Sequence, residues 1–363
     1  MLEGGKISGR QAVYLIVVTI FPTTILFLPY LVYAEARQDA WLSILLITVF
    51  GVMIGDIIGR LGRRFPEQTI IEFSRTLLGP VTGFLVGLLF AATFIYINSI
   101  IVRQFGELLI TNFIPETPVA VTLCAIVLTT VYIVRHGLEV LSRVNDMILP
   151  LLFIMIFIIL GLVVPFIKTE NLMPVLENGI VPVIRGAVPA GVFFTETFIM
   201  LMLVPYLSKP AEARRIITRS IVTVGFMQLI MVLAAITCFG AQTAYILFPA
   251  LEMARTIRLE FFLTNVDPVI LLVWILGGTM KISIFLYCST LAIAQLLRLR
   301  EYGWAAVVTG IITIIIAIVP YEDSFSLADH IRNVGPLLIL PIQAGIPLLL
   351  LVIAVITGKG TQK

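Results

Sequence analysis

The chain has 363 residues, of which 60% are hydrophobic and only 12% charged, with a mean hydropathy of +1.09 and a formal net charge of +3. A water-soluble domain carries about a quarter charged residues, so this composition excludes a soluble globular fold. Charge this sparse, with no long basic tract, gives no sign of a nucleic-acid partner.

The apolar residues fall into runs of about 20, the length that crosses a bilayer core. Taken in order they predict ten transmembrane helices, at roughly 11–34, 40–59, 80–112, 118–135, 144–166, 181–207, 215–240, 268–297, 303–320 and 334–357. The first follows Lys6 and Arg10 and precedes Ala34-Glu35-Ala36, which resembles a signal-peptide cleavage site. Its apolar stretch from Ala12 to Tyr33 is longer than a signal core, so it reads as a retained span. Residues 60–79 read as an amphipathic helix between spans two and three. In 249–262, Leu251, Ala254, Ile257 and Phe261 recur at helical spacing and predict a second one, lying over the opposite end of the bundle.

Lysine and arginine sort unevenly between the two sides. One side receives Lys6 and Arg10, then clusters such as Arg60, Arg63 and Arg64 or Lys209, Arg214, Arg215 and Arg219. The other receives Arg37, Lys168, Arg185, Arg255, Arg258 and Arg332, while Arg103 and Lys281 lie within spans. The bias toward the first side predicts that both termini are cytoplasmic.

Gly and Pro mark where helices are expected to break. Span one contains "VVTIFPTTILFLPY", in which Pro22 removes a hydrogen bond and Thr23 and Thr24 can supply substitutes. Span six contains "VPVIRGAVPAGVFFTETFIM", with Gly186, Pro189 and Gly191 shortly before Glu196. Interruptions in the first and sixth of ten spans fit two inverted five-helix repeats, about 11–166 and 181–357, with a site at mid-membrane between the broken helices. The competing reading is that Pro and Gly only kink two packed helices.

A family resemblance rests on "ILFLPYLVYAEARQDAWLSILL" (25–46), "GRRFPEQTIIEFSRTLLG" (62–79), "RQFGELLITNFIPETP" (103–118), "MPVLENGIVPVIRGA" (173–187), "LVPYLSKPAEARR" (203–215), "FPALEMAR" (248–255) and "MKISIFLYCSTLAIAQL" (280–296). In these stretches the chain resembles the spore germination permease family, the B subunits of germinant receptors, over nearly its whole length. The resemblance implies the amino acid–polyamine–organocation superfamily and its leucine-transporter fold. It also implies an amino-acid germinant bound between spans one, three, six and eight. The implied partners are a membrane A subunit and a lipoprotein C subunit, and the implied location is the inner membrane of the spore. Pro22 departs from the family, whose members usually carry Gly there.

The charges inside spans require partners. Lys281 either snorkels to an interface or faces the bundle interior and pairs with a carboxylate. The second reading is preferred, with Glu196 as partner and with carbonyls freed in span one as further acceptors. The pair then serves ion or proton coupling or is a structural charge, and Lys281 stands where sodium-coupled relatives of the fold keep a cation. Arg103 and Glu107, one turn apart, form a gate or a structural pair. Backbone N–H groups exposed at the breaks would suit a carboxylate. The solute is therefore expected near Thr23, Thr24 and Ile25, opposite Gly191, Val192 and Phe193. Tyr96 and Ser99 would contact the solute or serve ordinary packing.

Cys124, Cys238 and Cys288 have no metal-ligand spacing, and the two histidines, His136 and His330, are far apart in sequence. With no phosphate loop or nucleophile–histidine arrangement, neither an enzyme nor a metal or other cofactor is expected. The expected function is a membrane subunit that binds a small amino acid and signals by conformational change. The alternative is a secondary amino-acid transporter coupled to protons or cations.

Overall fold

The computed structural model describes residues 3–257, 267–319 and 323–360. Ten helical crossings are present among them. Seven are apolar stretches of membrane-spanning length, the first of which, Gly9–Arg64, is two helices joined by a tight turn at Arg37–Asp39; the shorter apolar helices Val119–Val134 and Gly303–Ile318 complete the set. The outer surface exposes large apolar side chains all round, Val121, Leu128, Phe157, Phe226 and Ile315 among them. A surface of that kind is stable only against lipid.

Local chemistry sets the helix ends. Span one, Gly9–Ala36, starts at Ser8, whose hydroxyl accepts from the Gln11 N–H while the Gln11 side chain accepts from the Ser8 N–H. Thr69 and Glu72 make the same reciprocal cap for the helix Ile70–Leu78. That helix is shorter than the expected 60–79, because span two continues to Arg64. Of the expected 249–262 helix, Pro249–Thr256 is observed with Leu251 and Ala254 buried, whereas Phe261 lies outside the described residues.

Span one is not broken, contrary to the expectation. It winds as one helix through Pro22 and Pro29. Each proline costs one backbone bond, leaving the carbonyls of Val18 and Ile25 without their helical donors, and the nearby hydroxyls bond other carbonyls of the same helix. Thr24 donates to the carbonyls of Ile20 and Phe21 at 2.9 Å, and Thr19 donates to Leu15 at 2.7 Å. Every residue from Leu15 to Pro29 is buried, so packing holds the helix together.

Span six changes its winding rather than breaking, and does so later than its Gly and Pro residues indicated. The α-helix Ile180–Phe194 passes through Gly186, Pro189 and Gly191, then tightens to 3₁₀ geometry over Thr195–Ile199 and again over Val204–Tyr206. Gly186 serves close packing instead: a Cβ there would meet the Ser43 hydroxyl at 2.8 Å. At the transition itself the Thr195 hydroxyl donates to the Gly191 carbonyl at 2.8 Å, competing with the helix ladder.

Span ten, Ser324–Ile356, begins about ten residues before the expected 334. It contains two wide turns of π geometry, His330–Val334 and Pro341–Gly345.

The arginine-rich end of the bundle is strapped by the N-terminal segment. Ile7 is fully buried and exchanges backbone bonds with Tyr206 and Ser208, and Lys6 donates to the Pro205 carbonyl at 2.7 Å. Glu3 accepts from Tyr302 at 2.9 Å and from the Leu138 N–H at 3.2 Å. Burial and the Glu3 carboxylate push the Tyr302 phenol up, which keeps it a proton donor.

Candidate functional site

Lys281 lies midway along span eight, fully buried, and its ammonium faces inward. It donates to both Glu196 carboxylate oxygens, at 2.7 and 2.9 Å, and to the Thr23 hydroxyl at 2.5 Å. These contacts use the three protons of an ammonium group. The rings of Phe193 and Phe285 stand 5.7 and 5.9 Å from the nitrogen, within cation–π range. Spans one, six and eight therefore meet at one ion pair, with Glu196 carried on the 3₁₀ turn of span six. The expected freed carbonyls of span one are not the acceptors; the Thr23 side chain takes their place, because the helix stays wound.

On the arginine-rich side of the pair lies an aromatic layer. Phe94 of span three stacks on Phe198 of span six at 4.7 Å, and both rings are 6.4 Å from Phe285. Toward the opposite side, cross-span polar contacts close the bundle. The Tyr96 hydroxyl pairs with His330 Nε2 at 2.5 Å, joining spans three and ten. Arg332 donates to Glu35 at 2.9 Å, joining span ten to span one. Arg103 and Glu107 pair at 2.6 Å with both side chains buried. Arg103 also reaches the carbonyls of Ala317 and Ile318 at 3.4 Å, and Ser324 donates to Glu107 at 3.0 Å. The pair thus ties span three to the ends of spans nine and ten.

The structure brings Thr23, Phe193, Glu196 and Lys281 together and sends the other expected residues elsewhere. Thr24 faces span seven, where its hydroxyl accepts from Gln228. Ile25 is buried in the core. Gly191 faces spans two and ten: its missing Cβ would touch Ile47 and Leu340 at 3.4 Å. Val192 packs toward Gly335 of span ten. Ser99 donates to the Tyr96 carbonyl at 2.7 Å, so its hydroxyl proton serves its own helix. Because span one is continuous, it presents no mid-membrane N–H groups to a carboxylate.

Sequence reading missed several residues. Glu35 falls in a connection when span one is ended at 34, and His330 and Arg332 do so when span ten is started at 334. Gln343, which accepts from Thr195, and Gln228 are buried amides within apolar runs. Asn98 is another, fully buried, with neither amide atom hydrogen-bonded among the described residues. Polarity inside an apolar run is the same signal that singled out Lys281, and it applies equally to amides.

A ten-crossing helical bundle whose first, sixth and eighth spans meet at a buried ion pair is a polytopic membrane protein. Comparison with solved structures identifies its fold. The chain superposes on MhsT in complex with L-phenylalanine with a TM-score of 0.65 and 14% identity, covering 98% of this chain and 99% of that one. It superposes on a Na+-coupled sialic acid symporter with a TM-score of 0.66 and 13% identity, covering 93% and 79%. These likenesses show the leucine-transporter fold. Residues 6–326 match the family model described as spore germination protein, and the chain belongs to that family. Spore germination protein KB of Bacillus subtilis (strain 168) is 27% identical over 371 residues, covering 100% of this chain and 98% of that protein. The family is one of membrane germination proteins rather than of enzymes.

Proposed function

We propose that this protein is the membrane subunit of a germinant receptor, binding a small amino acid beside the Lys281–Glu196 pair and passing the resulting conformational change to its partners. The observation that carries this reading is the ion pair itself. Two opposite charges and a hydroxyl from spans one, six and eight are gathered at mid-bilayer, where an ionisable group marks a functional site by default. Phe193 stands against the pair, and Thr23 brings span one to it. The halves 11–166 and 181–357 act as the two inverted repeats, and the Glu35–Arg332 and Tyr96–His330 contacts close the site on the side away from the arginines. That arginine-rich side is cytoplasmic, and the membrane is the spore inner membrane. The partners are the A subunit and the lipoprotein C subunit of the receptor.

Uptake separates this reading from that of a coupled transporter. The full chain in lipid vesicles, offered each labelled standard amino acid with and without a proton or sodium gradient, is expected to bind at least one saturably without accumulating it. Gradient-driven accumulation would contradict a dedicated sensor and establish the transporter.

A further inference from the structure

Asn98 is fully buried in span three, and both its amide nitrogen and its amide oxygen lack a hydrogen-bond partner among the described residues. In the apolar middle of a membrane protein such a side chain is costly, and chains that keep one keep it for a reason.

Helix register places it. Asn98 shares one face of span three with Phe94 and Phe105, since steps of four and seven residues return to the same side of a helix. That face looks at spans six and eight: Phe94 stacks on Phe198 and lies 6.4 Å from Phe285, and the Phe105 ring fills the space beside Gly278, where a Cβ would come within 1.8 Å of it. On span eight, Lys281 lies one turn from Phe285 and one turn from Gly278, on their common face. Asn98 and Lys281 therefore each stand one turn beyond the Phe94–Phe285 contact, in the same direction across the membrane. The free amide lies at the level of the ion pair.

Lys281 has committed its protons to Glu196 and Thr23, and the pair is neutral as a unit. Of the buried amides near that level, Gln228 and Gln343 have each spent one end, on Thr24 and Thr195, whereas Asn98 keeps both a donor and an acceptor without a partner among the described residues. We infer that Asn98 recognises the ionised ends of a net-neutral amino acid, its nitrogen donating to the solute carboxylate and its oxygen accepting from the solute ammonium. This rests on the amino-acid reading above and narrows it to zwitterions. A solute with a net charge would arrive where Lys281 and Glu196 already neutralise each other and hold no counter-ion in reserve. The rings of Phe193 and Phe285 give the solute side chain apolar walls.

The test is a thermal-stability titration of the full chain in lipid nanodiscs with glycine, alanine, leucine, lysine and glutamate. Wild type is expected to be stabilised by at least one of the neutral three and not by lysine or glutamate. Asn98→Leu is expected to melt above wild type without solute, because it removes two unsatisfied polar atoms, and to bind the neutral amino acid about ten- to a hundredfold more weakly, the loss expected for hydrogen bonds to charged groups. Asn98→Ser, which keeps a smaller polar group should the leucine not pack, is expected to weaken binding less. Wild-type affinity in both variants would overturn the assignment alone and make Asn98 the holder of a buried water. Equal binding of lysine or glutamate would overturn the restriction to zwitterions. No stabilisation of wild type by any of the five would overturn the amino-acid reading and the role of Asn98 with it.

Discussion

Lys281→Met is expected to destabilise the protein by about 3–5 kcal/mol, because it leaves the Glu196 carboxylate buried without its counter-charge. Glu196→Leu is expected to cost a similar amount for the mirror reason, leaving a buried ammonium without a counter-charge, held by the Thr23 hydroxyl and two aromatic rings. The informative variant is the double one. Lys281→Met with Glu196→Leu removes both charges and keeps the volume, and replacing a buried ion pair by apolar residues is often neutral for stability. The double variant should therefore recover most of what each single one loses, a coupling of at least about 2 kcal/mol in the double-mutant cycle, read from unfolding in detergent. Solute binding should stay absent in all three variants. Spores carrying Lys281→Ala or Glu196→Ala should assemble the receptor yet respond poorly to germinant. A double variant as unstable as the singles would mean that the charges are held by further groups in the fold.

Arg103→Met should produce the opposite profile, destabilised but still able to bind. The guanidinium joins Glu107 to the carbonyls of Ala317 and Ile318, so its loss leaves a carboxylate that is 7% exposed with the Ser324 hydroxyl as its remaining partner. A loss of about 3 kcal/mol is expected. Arg103 stands five residues beyond Asn98 toward the end of span three, about 7 Å along the axis. Solute affinity should consequently change by less than about threefold, with nanodisc titration and thermal unfolding measured on the same sample. A stable Arg103→Met protein that no longer binds would place this pair in the site rather than in the scaffold.

These two pairs show what the sequence makes legible. Opposite charges inside apolar runs are few, so Lys281 and Glu196 find each other almost by elimination, and Arg103 and Glu107 find each other by one helical turn. Run length delimits the spans, because a bilayer imposes one length on all of them. The break expected in span one does not occur, because a proline costs one rung locally while the burial of the whole segment decides whether the helix gives way. The change to 3₁₀ winding in span six falls at Thr195 rather than at Gly186 or Gly191, since those glycines admit neighbouring helices instead of loosening their own. Which way Thr24, Gly191 and Val192 point depends on helix rotation, which composition and spacing leave open when a helix is buried all round. The start of span ten is hidden in the sequence because His330, Arg332 and Asn333 look like loop residues until Tyr96 and Glu35 appear as partners for the first two.

Photolabelling tests most directly whether a solute lodges beside the ion pair. The full chain in nanodiscs is irradiated with a diazirine analogue of leucine or methionine, and the modified peptides are mapped. The expected result is label on the segments around Thr23, Asn98, Phe193 and Phe285, competed by the unmodified amino acid and lost in the Lys281→Met, Glu196→Leu double variant. Label confined to lipid-facing residues, or undiminished in that variant, would contradict a binding site at Lys281 and Glu196.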